Sequence, residues 1–290
     1  MNATARRDPT PVRLVATDLD GTLLRSDGTV SPYTRAVLQR VAERLPIVLV
    51  TARPPRRAKL IANEVGVEGN VICCNGALVY DTLADAVVAH SPILAADARR
   101  LIESLRAALP GVCFAFELER QHACEPEYRV LAVREGMVPD DGVLLGDAVA
   151  LCVTPVTKLI ARHPSHAAAT LAEALAATVG DGFTATYSGA TFVEISASGV
   201  DKASALAAIC AGREIDRAAV LAFGDMRNDL PMLRWAGRGI AVANAHPEVL
   251  AAVADVTESN ADDGVARALE RLVLGEGRLG QPPVLNKLGN

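Results

Sequence analysis

VRLVATDLDGTLL, residues 12–24, is a short, mostly apolar run that closes on two carboxylates and a glycine. A run of this length, ended by a turn signal, predicts a strand buried on both faces of a parallel sheet. Asp18 and Asp20 stand two residues apart where that strand ends, so both carboxylates can leave on one side. That side is the crevice beyond the carboxyl edge of the sheet, where open parallel sheets bind their ligands. Two other readings fit the same pair, a solvated strand end and the opening of a calcium loop. The calcium loop fails, because it needs a third ligand two residues on and a glycine sixth, whereas Gly21 is fourth and Leu23 sixth.

Downstream, Ser31 and Pro32 make an N-cap and first-turn pair, and Val37, Leu38, Val41 and Leu45 then recur at helical spacing. IVLV at 47–50 is the next buried strand, a helical stretch runs to Val65, and VICC at 71–74 follows. Strand, helix, strand, helix, strand predicts a parallel sheet. The alternation resumes beyond Val200, with a helix from Asp201 to Cys210, the strand AVLAF at 219–223 and a helix through Met232 to Trp235. GIAV at 239–242 is another strand, Pro247 starts a helix, and Gly264 to Leu274 gives the last one. Between these blocks the pattern changes to a helix near Ala95 to Leu109, strands at VCFAFEL, YRVLAV and TKLIAR, a helix near His166 to Val179, then FTATY and TFVEIS. The expected fold is therefore α/β, a doubly wound, mostly parallel, Rossmann-like sheet built from residues 1–82 and 197–274 with an α+β cap inserted over 83–196. Residues 1–10 read as a flexible lead and 275–290 as a loose tail.

Three further features share the strand-end pattern. AFGDMRNDLPML, residues 222–233, places Asp225, Asn228 and Asp229 directly after a buried run, with Gly224 allowing a close turn. Helix capping alone would explain those acids, but Asp18, Asp20 and Asp225 together also offer the hard oxygens that an octahedral Mg2+ needs. Thr51 ends a third strand, and the prolines at 54 and 55 suit a helix start, so a hydroxyl and free amides face a place where phosphate could bind. Lys202 stands at a helix start, where the dipole disfavours a cation unless something anionic lies nearby.

Composition narrows the field. Among 290 residues, 29 Lys and Arg against 34 Asp and Glu give a net charge of -5, with no basic stripe to follow a nucleic-acid backbone. No apolar stretch has signal or membrane-span length, so the expected location is the cytoplasm. The six cysteines lack metal-site spacing and read as buried free thiols, and His163 and His166 read as structural or surface residues.

Taken in order, these pieces resemble the four motifs of the haloacid dehalogenase superfamily. Four longer strings are similar to its Cof-like branch: CCNGALVY at 73–80, EISASGVDKASAL at 194–206, GDMRNDLPML at 224–233, and AVANAHPEVLAAVADVTESNADDGVARAL at 241–269. The resemblance implies a Mg2+-dependent phosphatase acting on a small phosphorylated metabolite such as a sugar phosphate or a phosphorylated cofactor. By that resemblance Asp18 is the nucleophile, and Asp20 is the general acid and base that also gives its main-chain carbonyl to the metal. Asp225 is implied as a metal ligand, Asp229 as support for the metal shell, and Asn228 as a residue at metal and substrate. Thr51 and Lys202 are expected to hold the phosphoryl group, and Arg53 to reach the substrate or pair with a local acid. Asn75 and Gly76 either line the crevice or form a simple turn. A phosphomutase would use the same acids and is the alternative. Ala52 and Ala203 stand where the family often has glycine, small changes that leave the chemistry untouched.

Overall fold

In the computed structural model, residues 10–137, 142–179, 182–187 and 191–275 are described. The expected lead and tail thus lie outside the described residues, save Thr10 and Gly275. β1 (Leu14–Asp18) is buried throughout, as its apolar run requires, and a tight coil leads from it to α1 (Pro32–Ala42). The Ser31 hydroxyl caps that helix by accepting from the Thr34 amide. β2 (Ile47–Val50), α2 (Pro55–Val65), β3 (Asn70–Cys73), β4 (Leu78–Asp81) and β5 (Ala86–His90) complete the first block.

A second group comprises α3 (Ala95–Ala108), β6 (Cys113–Glu117), β7 (His122–Cys124), α4 (Pro126–Arg134), β8 (Leu144–Leu145) and α5 (Ala148–Leu151). It continues through β9 (Lys158–Arg162), α6 (Ala168–Val179), β10 (Phe183–Thr186) and β11 (Phe192–Ala197). The chain then returns with α7 (Lys202–Gly212), β12 (Val220–Gly224), α8 (Leu230–Trp235), β13 (Arg238–Val242), α9 (Pro247–Ala252), β14 (Asp255–Thr257) and α10 (Gly264–Leu269).

The larger sheet has the order β14-β13-β12-β1-β2-β3-β4-β5. It is parallel from β14 to β3, and β4 and β5 add an antiparallel edge. The strand order therefore puts β12, β1 and β2 side by side at its centre, and each of the three ends in a residue or loop singled out from sequence. Thr17 lies opposite Phe223 and Asp18 opposite Val50, so Asp18 is flanked by the starts of the 225 and 51 loops.

The smaller sheet, β10-β11-β9-β6-β7-β8, has two unlike faces. Phe114, Phe116, Leu159, Ala161, Val193 and Ile195 point to one face and pack against α3 and α6 in a buried apolar cluster. Glu117, Lys158 and Glu194 belong to the other, where they are almost fully buried.

Two expectations fail. YRVLAV, read as a strand, lies within α4, because Pro126 starts a helix and Tyr128 and Ala132 form its buried stripe. Short apolar runs carry no period that separates strand from helix. Residues 86–90, assigned to the cap, form β5 of the larger sheet, so that sheet reaches His90. The hairpin before it is a local Asx turn in which Asp81 Oδ1 accepts from the amides of Leu83 (2.9 Å) and Ala84 (3.1 Å).

Candidate active site

The coil after β1 winds on one carbonyl, that of Leu19, which accepts from the amides of Thr22, Leu23 and Leu24. Gly21 makes this possible at φ +79°, and a Cβ there would lie 2.4 Å from Asp225 Oδ2. The coil and the loop after β12 are thus in direct contact, and Thr22 Oγ1 donates to Asp225 Oδ1 at 2.7 Å. Gly224 serves the same closeness from the other side, since a Cβ there would meet the Asp229 Cβ at 2.5 Å.

Lys202 lies at the centre of the group. Its ammonium donates to Asp18 Oδ1 at 2.5 Å and to Asp229 Oδ1 at 2.6 Å, with 1% of the residue exposed. The anions that a cation at a helix start requires are therefore present, and Asp201 and Ser204 close a capping box around that start. Asp229 turns its other oxygen to the amides of Asp225 (3.1 Å) and Met226 (2.9 Å), so it braces the loop as well as the lysine.

Burial, then the charge of Asp229, pushes the Asp18 carboxyl well above the usual carboxylate range, and Asp225 adds to this against the opposing pull of Lys202. Asp225 is pushed up to about 6, first by burial and next by Asp229. Burial alone would depress the Lys202 ammonium, but Asp18 and Asp229 more than offset it and hold it above the ordinary lysine value.

Asp18, Asp225 and Asp229 each present a carboxylate oxygen within 4.8 Å of the others. Three buried carboxylates against one ammonium leave a negative excess in a poorly solvated place, and the donors are all hard oxygens. That set fits Mg2+. Asp20, also expected near the metal, keeps its side chain out of this group: half exposed, it is held by Arg53, whose Nε lies 2.8 Å from Oδ2 while a second nitrogen takes Oδ1. Of the two readings for Arg53, pairing with a local acid is the one seen.

Thr51 is fully buried at the end of β2, and its Oγ1 accepts from the Arg53 amide at 3.0 Å. Its carbonyl accepts from Asn75, and the Arg53 carbonyl from Cys74. Asn75 and Cys74 both adopt positive φ, 55° and 51°, ahead of Gly76 at 101°, so CCNG is a turn packed against the Thr51 loop. Asn75 Oδ1 then accepts from Asn228 Nδ2 at 3.1 Å, which brings the last expected site residue into the same group.

A family model of haloacid dehalogenase-like hydrolases matches residues 15–269. The chain belongs to that family, in its Cof-like branch. Among relatives, YxeH of Bacillus subtilis (strain 168) is 32% identical over 270 residues, covering 91% of this chain and 99% of YxeH. Pyridoxal phosphate phosphatase YbhA of Escherichia coli (strain K12) is 26% identical over 268 residues, covering 88% and 96%. The fold is that of BT1666 from Bacteroides thetaiotaomicron, with TM-score 0.79, 22% identity and coverage of 93% and 99%.

Thr22, Lys158 and Glu194 also belong to the site of this hydrolase, beyond the residues expected from sequence. The lysine donates to the Ala52 carbonyl at 2.8 Å and pairs with Glu194, whose other oxygen accepts from Asn75 Nδ2 at 2.9 Å. The signal for each is a charged residue on an otherwise apolar strand, and Glu194 also opens the EISASGVDKASAL string.

Proposed function

We propose that this enzyme, a phosphoric monoester hydrolase, is a Mg2+-dependent phosphatase of small phosphorylated metabolites that works through a phosphoaspartate on Asp18. The observation that carries the reading is Lys202 bridging Asp18 and Asp229 beside Asp225, a buried acidic cluster at the carboxyl edge of the sheet with one ammonium in it. Asp18, Asp225 and the Asp20 carbonyl would hold the ion, and Asp229 would brace that shell. Bound there, Mg2+ supplies positive charge that lets an anionic phosphoryl group approach an anionic nucleophile.

In the first step an Asp18 oxygen attacks phosphorus, the bond from phosphorus to the leaving oxygen breaks, and Asp20 gives that oxygen a proton. In the second, Asp20 takes a proton from water, the hydroxide attacks phosphorus, and inorganic phosphate leaves with Asp18 restored. Thr51 and Lys202 hold the phosphoryl oxygens, Asn228 lies at the substrate, and Arg53 keeps the Asp20 carboxylate aimed. Residues 91–197, reaching the crevice through Lys158 and Glu194, act as the cap that excludes water.

Sugar phosphates and phosphorylated cofactors are the proposed substrates, and the pyridoxal phosphate phosphatase named above supports the second group. Six buried free thiols fit a reducing compartment, hence the cytoplasm, and among the described residues no helix is long and apolar enough to cross a membrane. The test is phosphate release from a panel of phosphorylated metabolites with Mg2+, using Asp18→Asn as background. We expect modest turnover of several compounds, abolished in the variant. Equal turnover by the variant would refute the mechanism, and isomerised sugar phosphate without phosphate release would make the enzyme a mutase.

A further inference from the structure

Five groups form one unbroken hydrogen-bonded chain from the Thr51 loop, through the cap, to the acidic loop: the Ala52 carbonyl, Lys158, Glu194, Asn75 and Asn228. Lys158 and Glu194 are each 3% exposed. A buried ion pair is a weak source of stability, because desolvating both charges offsets most of their attraction, and apolar residues of similar volume commonly do as well. Each partner here has a further bond outside the pair, and in both cases it crosses to the larger sheet's loops.

The chain also has a polarity. An ionised carboxylate only accepts, so Asn75 must turn its NH2 toward Glu194, and toward the Thr186 hydroxyl at 3.3 Å. Its oxygen is then the end left for Asn228, which must in turn present its own NH2. The oxygen of Asn228 is thereby turned away from Asn75. That atom is buried, and among the described residues it accepts no hydrogen bond. A buried acceptor without a donor is destabilising, a cost that a donor on a ligand would remove.

We infer that Lys158 and Glu194 are positioning residues that fix, through Asn75, the Asn228 carboxamide oxygen as an acceptor for a hydroxyl of the bound phosphomonoester. The inference rests on the phosphatase reading and adds that hydroxyl-bearing substrates are favoured. Replacing Glu194 by Gln keeps its volume but supplies an NH2 that lets both asparagines reverse. Lys158→Met removes the ammonium that pairs with the Glu194 carboxylate, and Lys158→Arg retains a cation there.

The experiment compares kcat/KM for the best hydroxyl-bearing metabolite of the panel with that for phenyl phosphate, which has no hydroxyl. For Glu194→Gln and Lys158→Met we expect a loss of about tenfold or more on the metabolite and under about threefold on phenyl phosphate, with Lys158→Arg recovering most of the difference. Equal losses on both compounds would show a merely structural pair and overturn the inference. So would no loss, or a panel in which no hydroxyl-bearing compound surpasses phenyl phosphate. If Lys158→Met does not fold, the Lys158→Met, Glu194→Leu double variant removes both charges and carries the same expectation. Phosphate release from no compound at all, or undiminished release by Asp18→Asn, would instead strike the phosphatase reading.

Discussion

The guanidinium of Arg53 grips the Asp20 carboxylate with two nitrogens, Nε lying 2.8 Å from Oδ2. The pair ties the coil after β1 to the loop after β2, and its fork geometry sets where the carboxylate points. A lysine would keep the charge and lose the fork. For Arg53→Lys we expect kcat to fall about tenfold while KM changes by less than about threefold. Steady-state kinetics on any substrate of the panel would check this, and an unchanged kcat would release Arg53 from the site.

Lys202 is the only cation bonded to Asp18 among the described residues. In Lys202→Met the buried carboxylates lose their counter-charge, a change that costs about 3–5 kcal/mol when one partner of a buried pair is removed. We expect that loss in urea unfolding near neutral pH, and a smaller one in acid, where the carboxylates take up protons. A loss independent of pH would mean that lysine packing matters more than its charge.

The raised carboxyls set a sign for pH. Asp18 and Asp225 titrate above the ordinary carboxylate range, Asp225 at about 6, so below that the folded metal-free protein binds more protons than the unfolded chain. Metal-free stability contributed by Asp225 is therefore present in acid and lost as pH rises through about 6, and the contribution of Asp18 is likewise lost as pH rises. Mg2+ held as proposed would bind the ionised form and reverse the trend. Melting temperatures from about pH 5 to about pH 8 should fall without Mg2+ in this window and rise with it, once the protein's other titrations are matched by an Asp225→Asn control.

Gly76 tests the packing of the CCNG turn. At φ +101° a Cβ would stand 2.0 Å from the Asp201 carbonyl oxygen, a backbone atom at the start of α7. We expect Gly76→Ala to destabilise by about 2–4 kcal/mol and to reduce activity, because Lys202 is the next residue and must move with it. Retained melting temperature and turnover would show that this contact yields easily.

Much of this was legible in the sequence for a physical reason. Asp18, Thr51 and Asp225 follow buried strands whose apolar runs have no other use, and parallel sheets gather such ends at one edge. Their partners were less visible. Nothing local distinguishes Lys158 from a solvated lysine on a strand, and its meaning comes from Glu194 and Ala52, brought to it only by tertiary packing. YRVLAV went astray because six apolar-rich residues satisfy both periods, and β5 because an edge strand of small residues has no strong alternation. Arg53 was left open from sequence, since an arginine at a helix start serves substrate or acid equally well.

The contact from Thr22 to Asp225 joins residues 203 positions apart, across the whole inserted unit. β1 cannot pair with β12 until synthesis and collapse have dealt with everything between them, and closing so long a loop is slow. The acidic cluster consequently cannot exist in any state where only the first block has formed. Returning turnover during refolding should therefore trail the return of helical signal, and a half-made chain carries Asp18 without the neighbours it meets in the folded protein.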